Sequence, residues 1–236
     1  MNIDDLYDPE FRKLIKSKKP TVIIPVGSIE QHGAHLPIST DSDIVTEIAS
    51  RLAKKCGFIV FPTISYGVSW EHEPLFNTSL KAISLKKILD DIITSLRKNH
   101  IKRIIILNGH HGNLGVMGQY VVYVDKLYMK KFGITVSKFS YWLFMKHQFD
   151  HAGFVETSLM LAISNKVKMK KAKKGFVTNG VSDREKRKIG KLATKPGGFP
   201  KVTKNGVWGD PTGATKKDGQ KFLAEIIRNL AKECQS

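Results

Sequence analysis

Three side chains that could hold a metal ion follow the first apolar run of the chain. Glu30 and His32 lie two residues apart in Gly-Ser-Ile-Glu-Gln-His-Gly, and Asp41 comes nine residues after His32. Side chains two apart in extended backbone project to the same side, so Glu30 and His32 can face one centre. Carboxylate and imidazole ligands together suit zinc, manganese or iron. The spacing therefore predicts a divalent metal site.

Two further clusters carry histidine and carboxylate side chains. Asn-Gly-His-His-Gly-Asn contains His110 and His111 and follows an apolar run over 103–107. Asp-His-Ala-Gly-Phe-Val-Glu-Thr-Ser contains His151 and Glu156 and precedes an apolar stretch. The pattern around the first cluster is that of a strand, a glycine-bracketed turn and a helix. This would place the cluster at the carboxyl end of a strand, where open α/β sheets have their ligand-binding sites.

The elements that must position these residues alternate between strand and helix patterns. This alternation predicts an α/β fold with three layers, α/β/α, a mostly parallel sheet and a single domain over residues 1–236. Residues 63–82 are expected to form a long loop, and residues 175–215, rich in Gly, Lys, Thr and Pro, show little helix signal. Strands are predicted over 20–26, 58–61, 103–107 and 134–140, and helices over 43–56, 85–98 with Ser84 as cap, 114–131, 156–164 and 216–233.

Composition limits the class of protein. A chain of 236 residues with 41% hydrophobic residues is long enough to bury a substantial core. No run approaches the roughly 20 apolar residues of a membrane span, and the first residues lack a signal-peptide pattern. Cys56 and Cys234 do not suggest a disulfide framework. We therefore expect a cytoplasmic protein.

The formal net charge of +18 indicates either an anionic partner or lysine-rich solvated faces. No nucleic-acid-binding motif accompanies the charge, which disfavours nucleic acid as the partner. A phosphorylated small substrate remains open. The lysines cluster over 166–174 and 186–204, after the third motif, as in basic loops.

Four motifs in this order resemble the creatininase family of metal-dependent amidohydrolases. They are Gly-Ser-Ile-Glu-Gln-His-Gly-Ala-His-Leu-Pro with Asp41, Asn-Gly-His-His-Gly-Asn, His-Ala-Gly-Phe-Val-Glu-Thr-Ser, and Gly-Asp-Pro-Thr-Gly-Ala-Thr from Gly209. The resemblance spans most of the chain. It implies a hydrolase of small-molecule amides with two divalent ions per chain, zinc, iron or manganese. A homo-oligomer is also expected.

The resemblance implies a role for each metal-site residue. Asp41 would bridge the two ions, with Glu30 on one and His32 on the other. The histidine directly after Asn-Gly, His110, would be a ligand, and His111 would lie at the pocket rim.

The third cluster would supply catalytic residues. Glu156 would complete the ligand set; the alternative is a first-turn carboxylate that favours its helix. His151 would carry the proton to the leaving nitrogen, since imidazole titrates near neutral pH. The alternative for His151 is to orient Glu156.

The loop over 63–82 would form part of the substrate pocket. Trp70, Glu71 and His72, together with His111, are predicted to bind substrate. The Glu-His pair matches the family while its surroundings differ. For Trp70 the alternative is packing of an exposed loop.

The residue at position 112 narrows the choice among the family's substrates. Creatinine-hydrolysing members of the family have a carboxylate where this chain has Gly112. This departure and the basic charge favour the archaeal branch that deformylates a formamidopyrimidine ribonucleotide in flavin and deazaflavin biosynthesis. Creatinine hydrolysis and peptidase processing of a peptide-derived cofactor are the alternatives within the family. An alternative from another class is a nucleic-acid-binding protein with a structural metal, although structural zinc usually draws on Cys ligands.

Overall fold

A four-stranded parallel sheet forms the middle of the molecule. The computed structural model describes residues 1–118 and 130–235. The strands lie in the order β2-β1-β3-β4, and each neighbouring pair is parallel. Val26 at the end of β1 lies opposite Asn108 at the end of β3, so the loops after both strands leave the same edge. The strands are β1 (Thr21–Val26), β2 (Ile59–Val60), β3 (Arg103–Asn108) and β4 (Thr135–Ser140).

Helices cover both faces of the sheet. Along β1 and β3 successive side chains enter opposite apolar layers, as the two-residue period of a strand requires. Ile23 and Ile105 pack with α2, α4 and α7, while Val22 and Ile104 pack with α3. The predicted α/β/α arrangement is therefore confirmed. The helices are α1 (Asp8–Lys18), α2 (Thr40–Cys56), α3 (Ala82–Lys98), α4 (Phe154–Ile163), α5 (Asp183–Ala193), α6 (Phe199–Val202) and α7 (Lys216–Gln235).

The start of α3 differs from the sequence prediction, and most of one predicted helix lies outside the described residues. The helix predicted to begin after Ser84 begins at Ala82 with Lys81 at the N-cap, so Ser84 lies in the first turn and is not the cap. Most of the helix predicted over 114–131 falls on 119–129, outside the described residues; 114–118 and 130–132 are helical. In the described part of the chain, no helix has the length and apolar character needed to cross a bilayer.

The prediction of little helix over 175–215 is wrong, because α5 and α6 lie there. A capping box starts α5: the Ser182 hydroxyl accepts the Glu185 N–H, and the Glu185 carboxylate accepts the Ser182 N–H. Pro200 lies in the first turn of α6, where its missing N–H costs nothing. The many lysines and arginines of α5 are good helix formers, which composition alone obscured.

Candidate metal centre

Five predicted residues meet at the carboxyl edge of the sheet. They come from four places in the chain: the loop after β1, the first turn of α2, the turn after β3 and the first turn of α4. Each is at most 3% exposed, so their charges are buried together. The sheet topology therefore assembles the cluster whose parts the sequence indicated: Glu30, His32, Asp41, His110 and Glu156.

The His32 ring is held so that one nitrogen faces two carboxylates. Its Nδ1 lies 3.1 Å from the backbone carbonyl oxygen of Glu30, which accepts the Nδ1–H. Nε2 then points to Asp41 Oδ1 at 3.3 Å and to Glu156 Oε2 at 3.5 Å. A histidine with one nitrogen on a carbonyl and the other turned to carboxylates is oriented as metal-ligating histidines are.

His110 approaches Asp41 from the other side. Its Nδ1 lies 3.0 Å from Asp41 Oδ2, and its Nε2 lies 3.3 Å from Glu30 Oε2 and 2.9 Å from the Val68 carbonyl oxygen. Asp41 therefore stands between His32 and His110, with one oxygen toward each ring. This is the position that a bridging carboxylate between two ions requires.

The cluster fits a pair of cations. Within the described residues, Glu30 Oε1, His32 Nε2, Asp41 Oδ2 and Glu156 Oε1 are buried atoms that make no hydrogen bond. Buried polar atoms that make no hydrogen bond are costly, and a pair of cations could bind all four. Three groups offer ligand atoms that lie within 4.8 Å of one another: Glu30, Asp41 and His110; His32, Asp41 and Glu156; and Glu30, His32 and His151.

Without a cation, the cluster is held by ion pairs. Burial works against the charged form of His32, but Asp41 and Glu156 outweigh it and raise the pKa of His32 to about 10. Glu30 and Asp41 act against burial in the same way and raise the pKa of His110 to about 10. Burial favours the neutral form of Asp41, yet His32 and His110 hold its pKa below the usual range.

The Glu156 carboxylate is available to bind a metal ion because Asp150 stabilises the start of α4. The Asp150 carboxylate accepts the N–H groups of Val155 at 2.9 Å and Glu156 at 3.3 Å. Glu156 Oε2 accepts the Ala152 N–H at 2.6 Å, and its Oε1 remains without a hydrogen bond. Burial raises the pKa of Glu156. The helix-stabilising role considered for Glu156 thus belongs to Asp150.

His151 lies beside the cluster with one nitrogen engaged. Its Nε2 lies 3.1 Å from the backbone carbonyl oxygen of Gln31, and its Nδ1 lies 3.9 Å from Glu30 Oε1. Burial, with the neighbouring His32 and His72, lowers the pKa of His151 well below the ordinary value. Its imidazole is therefore neutral at pH 7 and can accept a proton.

The predicted substrate loop reaches the cluster with two of its three residues. Trp70–His72 forms a 3₁₀ turn, in which successive side chains point in different directions. His72 Nε2 lies 3.0 Å from Glu30 Oε1, and Glu71 Oε1 lies 3.7 Å from His110 Nε2. Burial raises the pKa of Glu71. Trp70 is 37% exposed and does not line the cavity, so the prediction that it contacts substrate finds no support.

A cavity of about 260 Å³ lies over the cluster, and the late part of the chain covers it. The Phe199 ring lies 4.6 Å from the His72 ring and 4.8 Å from the His151 ring. The sequence did not predict this cover, although the capping box at Ser182 marks the start of α5. Beside Glu30, Asp41, Glu71, His72, His110, His151 and Glu156, the lining includes His111, Gln148, Phe149, Asp150, Gly190, Ala193, Thr194, Phe199 and Trp208.

Comparison with known sequences gives a family. The family model described as "Creatinine amidohydrolase" matches residues 4–234. A mycofactocin precursor peptide peptidase of Mycolicibacterium smegmatis is 30% identical over 226 residues, 92% of this chain and 85% of that protein. A creatinine amidohydrolase of Pseudomonas putida is 28% identical over 185 residues, 68% of this chain and 71% of that protein.

The similarity to a deformylase is more limited. A 2-amino-5-formylamino-6-ribosylaminopyrimidin-4(3H)-one 5'-monophosphate deformylase of Methanosphaera stadtmanae is 40% identical over 94 residues. The match covers 39% of this chain and 40% of that protein. The prediction of deformylation is therefore not confirmed, whereas the broader prediction of an amidohydrolase is.

Solved structures agree with the fold. A structure described as "Creatininase Mn" superposes with a TM-score of 0.83 at 23% identity, covering 98% of this chain and 96% of that chain. Another creatininase structure is described as a mutant of "Zn-Zn type". Creatininase structures thus carry manganese or zinc, and this chain has groups that could bind such ions. With the family model matching nearly its whole length, the chain belongs to the creatininase family of metal-dependent amidohydrolases.

Proposed function

We propose that this chain hydrolyses a C–N amide bond in a small anionic substrate, at a centre of two divalent ions. One ion would be held by His32, Asp41 and Glu156, and the other by Glu30, Asp41 and His110. The observation that carries the proposal is the position of Asp41 between two imidazoles, on the floor of a covered cavity.

The protein's own groups would handle the proton and the surroundings of the reaction. When bound, the ions supply polarisation of the amide carbonyl and acidify water. His151, with Nε2–H on the Gln31 carbonyl, keeps Nδ1 free to take a proton from the attacking water and return it to the leaving nitrogen. Phe199 and Trp208 wall the cavity with aromatic surface and limit the access of water.

The cover supports an anionic substrate. Helix α5 carries five basic and two acidic residues, and its Gly190, Ala193 and Thr194 line the cavity. Residues three or four apart share a helix face, so Arg187 is next to Gly190 and Lys191 is next to Thr194 on the exposed rim. Point charges on this rim favour a phosphate or a carboxylate on the substrate.

Two substrate classes fit this description. One is the formamido group of a ribosylaminopyrimidine phosphate, supported by the rim charge and by the partial similarity to a deformylase. The other is a peptide bond near the end of a peptide, supported by similarity to a peptide peptidase over 92% of the chain. Creatinine has no anionic group for the rim, and Gly112 offers no side chain to the cavity.

The test is a substrate panel with zinc-, manganese- or iron-loaded protein. We expect formate from the formamidopyrimidine ribonucleotide or a free amine from short peptides, with slow turnover of creatinine. The dephosphorylated nucleoside should show a raised KM with a smaller change in kcat, because remote phosphate contacts bind ground and transition states alike. Activity that survives complete chelation, or no hydrolysis of any amide, would overturn the proposal. Rapid creatinine turnover would overturn only the anionic substrate.

We further propose a reducing, cytoplasmic setting and a homo-oligomer. Free thiols at Cys56 and Cys234 support the first. The resemblance to the family supports the second. Sedimentation equilibrium checks the oligomer. Steeply salt-dependent binding to duplex or single-stranded nucleic acid would instead support the nucleic-acid-binding alternative.

A further inference from the structure

Glu71 is a buried carboxylate that was predicted to bind substrate and that the proposed reaction does not use. It is 7% exposed and lines the cavity over the cluster. It comes from the 3₁₀ turn Trp70–His72 and faces the Nε2 atom of His110, whereas Asp41 faces Nδ1. Its Oε1 lies 3.7 Å from His110 Nε2. Glu71 is therefore beside His110, one of the groups proposed for the second ion, rather than beside His32 and Glu156.

The approach of Glu71 depends on the absence of a side chain at Gly112. A Cβ added to residue 112 would lie 2.5 Å from Glu71 Oε1 and 2.4 Å from His110 Nε2. It would also lie 2.1 Å from the Val68 carbonyl oxygen, which is backbone and cannot rotate away. The turn after β3 therefore cannot supply a further side chain at this point, and the space is filled from the loop before α3.

Charge balance gives a second, independent argument. Glu30, Asp41 and Glu156 bring three negative charges to the cluster, while two divalent ions bring four positive charges. Asp150 is engaged with the N–H groups that start α4 and so does not face the ions. Glu71 is the remaining carboxylate among those described as lining the cavity. Buried charges are stable only when they are compensated, and Glu71 would make the two sums equal.

We propose that Glu71 completes the second metal position, together with Glu30, Asp41 and His110. The inference rests on the proposed pair of ions. It assigns to Glu71 the fourth negative charge, which would balance the charge of the second ion. The two metal positions then differ in their ligands. The position at His32 has no ligand from the loop over 63–82, whereas the position at His110 has Glu71.

The test measures metal binding rather than turnover. Glu71→Gln keeps the shape of the side chain and removes its charge. Glu73→Gln is the matched control, because Glu73 is an exposed carboxylate on the same loop. Chelated proteins are titrated with Zn²⁺ or Mn²⁺ in competition with a chromophoric chelator, and elemental analysis gives the ions per chain. We expect two ions for the parent protein and for Glu73→Gln. Glu71→Gln should keep the first ion and bind the second at least about tenfold more weakly.

Gln also distinguishes a ligand from a group that only orients His110. The Gln amide oxygen can accept the His110 Nε2–H as the carboxylate does, so a purely orienting role predicts two ions at unchanged affinity in Glu71→Gln. That result would overturn this inference and leave the proposed hydrolase standing. A parent protein that binds a single ion would overturn this inference together with the proposed pair of ions, and would leave only a hydrolase with one ion. A parent protein that binds no ion would overturn both. Matching thermal unfolding of the three chelated proteins confirms that each is folded.

Discussion

His151 and Asp41 both border the proposed metal centre, yet their removal should have different effects. Asp41→Ala should lose metal, because the carboxylate between His32 and His110 disappears. His151→Ala should keep its metal and lose turnover by roughly two to four orders of magnitude, as expected for a proton carrier. Elemental analysis and steady-state kinetics on both variants check this. If His151→Ala strips metal as Asp41→Ala does, His151 is a ligand and the role proposed for it is wrong.

The pKa values of the cluster predict how the metal-free protein responds to pH. His32 and His110 have a folded pKa of about 10 against an ordinary 6.5, so the folded state binds more protons between these values. Their stabilisation is complete below pH 6.5 and is lost as pH rises toward 10. The melting temperature of chelated protein should fall between pH 7 and 10, and that of metal-loaded protein should fall less. Calorimetry in the two states checks this; a chelated protein that gains stability over this range would contradict it.

Local spacing was sufficient to predict which side chains meet at the carboxyl edge of the sheet, and it was insufficient to predict the cavity wall. Glu30 and His32 are two apart, and His110 follows a strand, so short motifs carry their positions. Phe199 and Trp208 reach His151 only through tertiary packing, from more than forty residues away in the chain. Trp70 lies outside the described cavity lining although Glu71 and His72 belong to it, because successive side chains of a 3₁₀ turn point in different directions.

At the scale of elements, the turn after β3 allows a stability test. Gly112→Ala should destabilise the protein by about 1–3 kcal/mol, because its Cβ would lie 2.1 Å from the Val68 carbonyl oxygen. Gly115→Ala is the control. It lies in the helical residues 114–118, where an added Cβ meets nothing within 4 Å. Alanine there should be neutral or stabilising by up to about 1 kcal/mol. Urea unfolding measures both, and equal effects would show that crowding does not dictate glycine at 112.

Helix α5 should govern the affinity for substrate without governing the chemistry. Reversing Arg187 and Lys191 to Glu should raise KM for an anionic substrate roughly three- to tenfold at low salt, since exposed charge pairs contribute about 0.2–1 kcal/mol each. The value of kcat should change little, because neither residue contacts the cluster. Reversing Lys13 and Lys16, exposed on α1, is the control. Kinetics at low and high salt check this, and an unchanged KM would remove α5 from substrate binding.

Strands and helices were predictable from the sequence where a clear apolar pattern marked them. The apolar strands and α2 follow the periods that burial imposes, and their ends agree within a few residues. Helix α5 was missed although Ser182 and Glu185 form a capping box, because it has few apolar residues and they lie only in its last two turns. The start of α3 was misplaced because Lys81 gives no side-chain cap signal.

At the scale of the whole molecule, metal and fold should be coupled. We predict that the chain unfolds as one domain over residues 1–236, with equal calorimetric and van't Hoff enthalpies. Added Zn²⁺ or Mn²⁺ should raise the melting temperature in proportion to the logarithm of metal concentration above Kd, because ions bind the folded cluster in preference to the unfolded chain. Two separate transitions would contradict the single domain. A melting temperature that ignores metal would contradict the coupling.

The cover of the cavity has a consequence for how such enzymes diverge. All proposed ligands lie between residues 30 and 156, whereas α5 and α6 come from residues 183–202. The proposed ligands and the helices that cover the cavity are thus encoded in separate stretches of the gene. Exchange of residues 183–202 between relatives would change substrate selectivity and leave the proposed metal ligands unchanged. A short graft, rather than a rebuilt catalytic centre, is the natural unit by which evolution or an engineer would give this scaffold a new substrate.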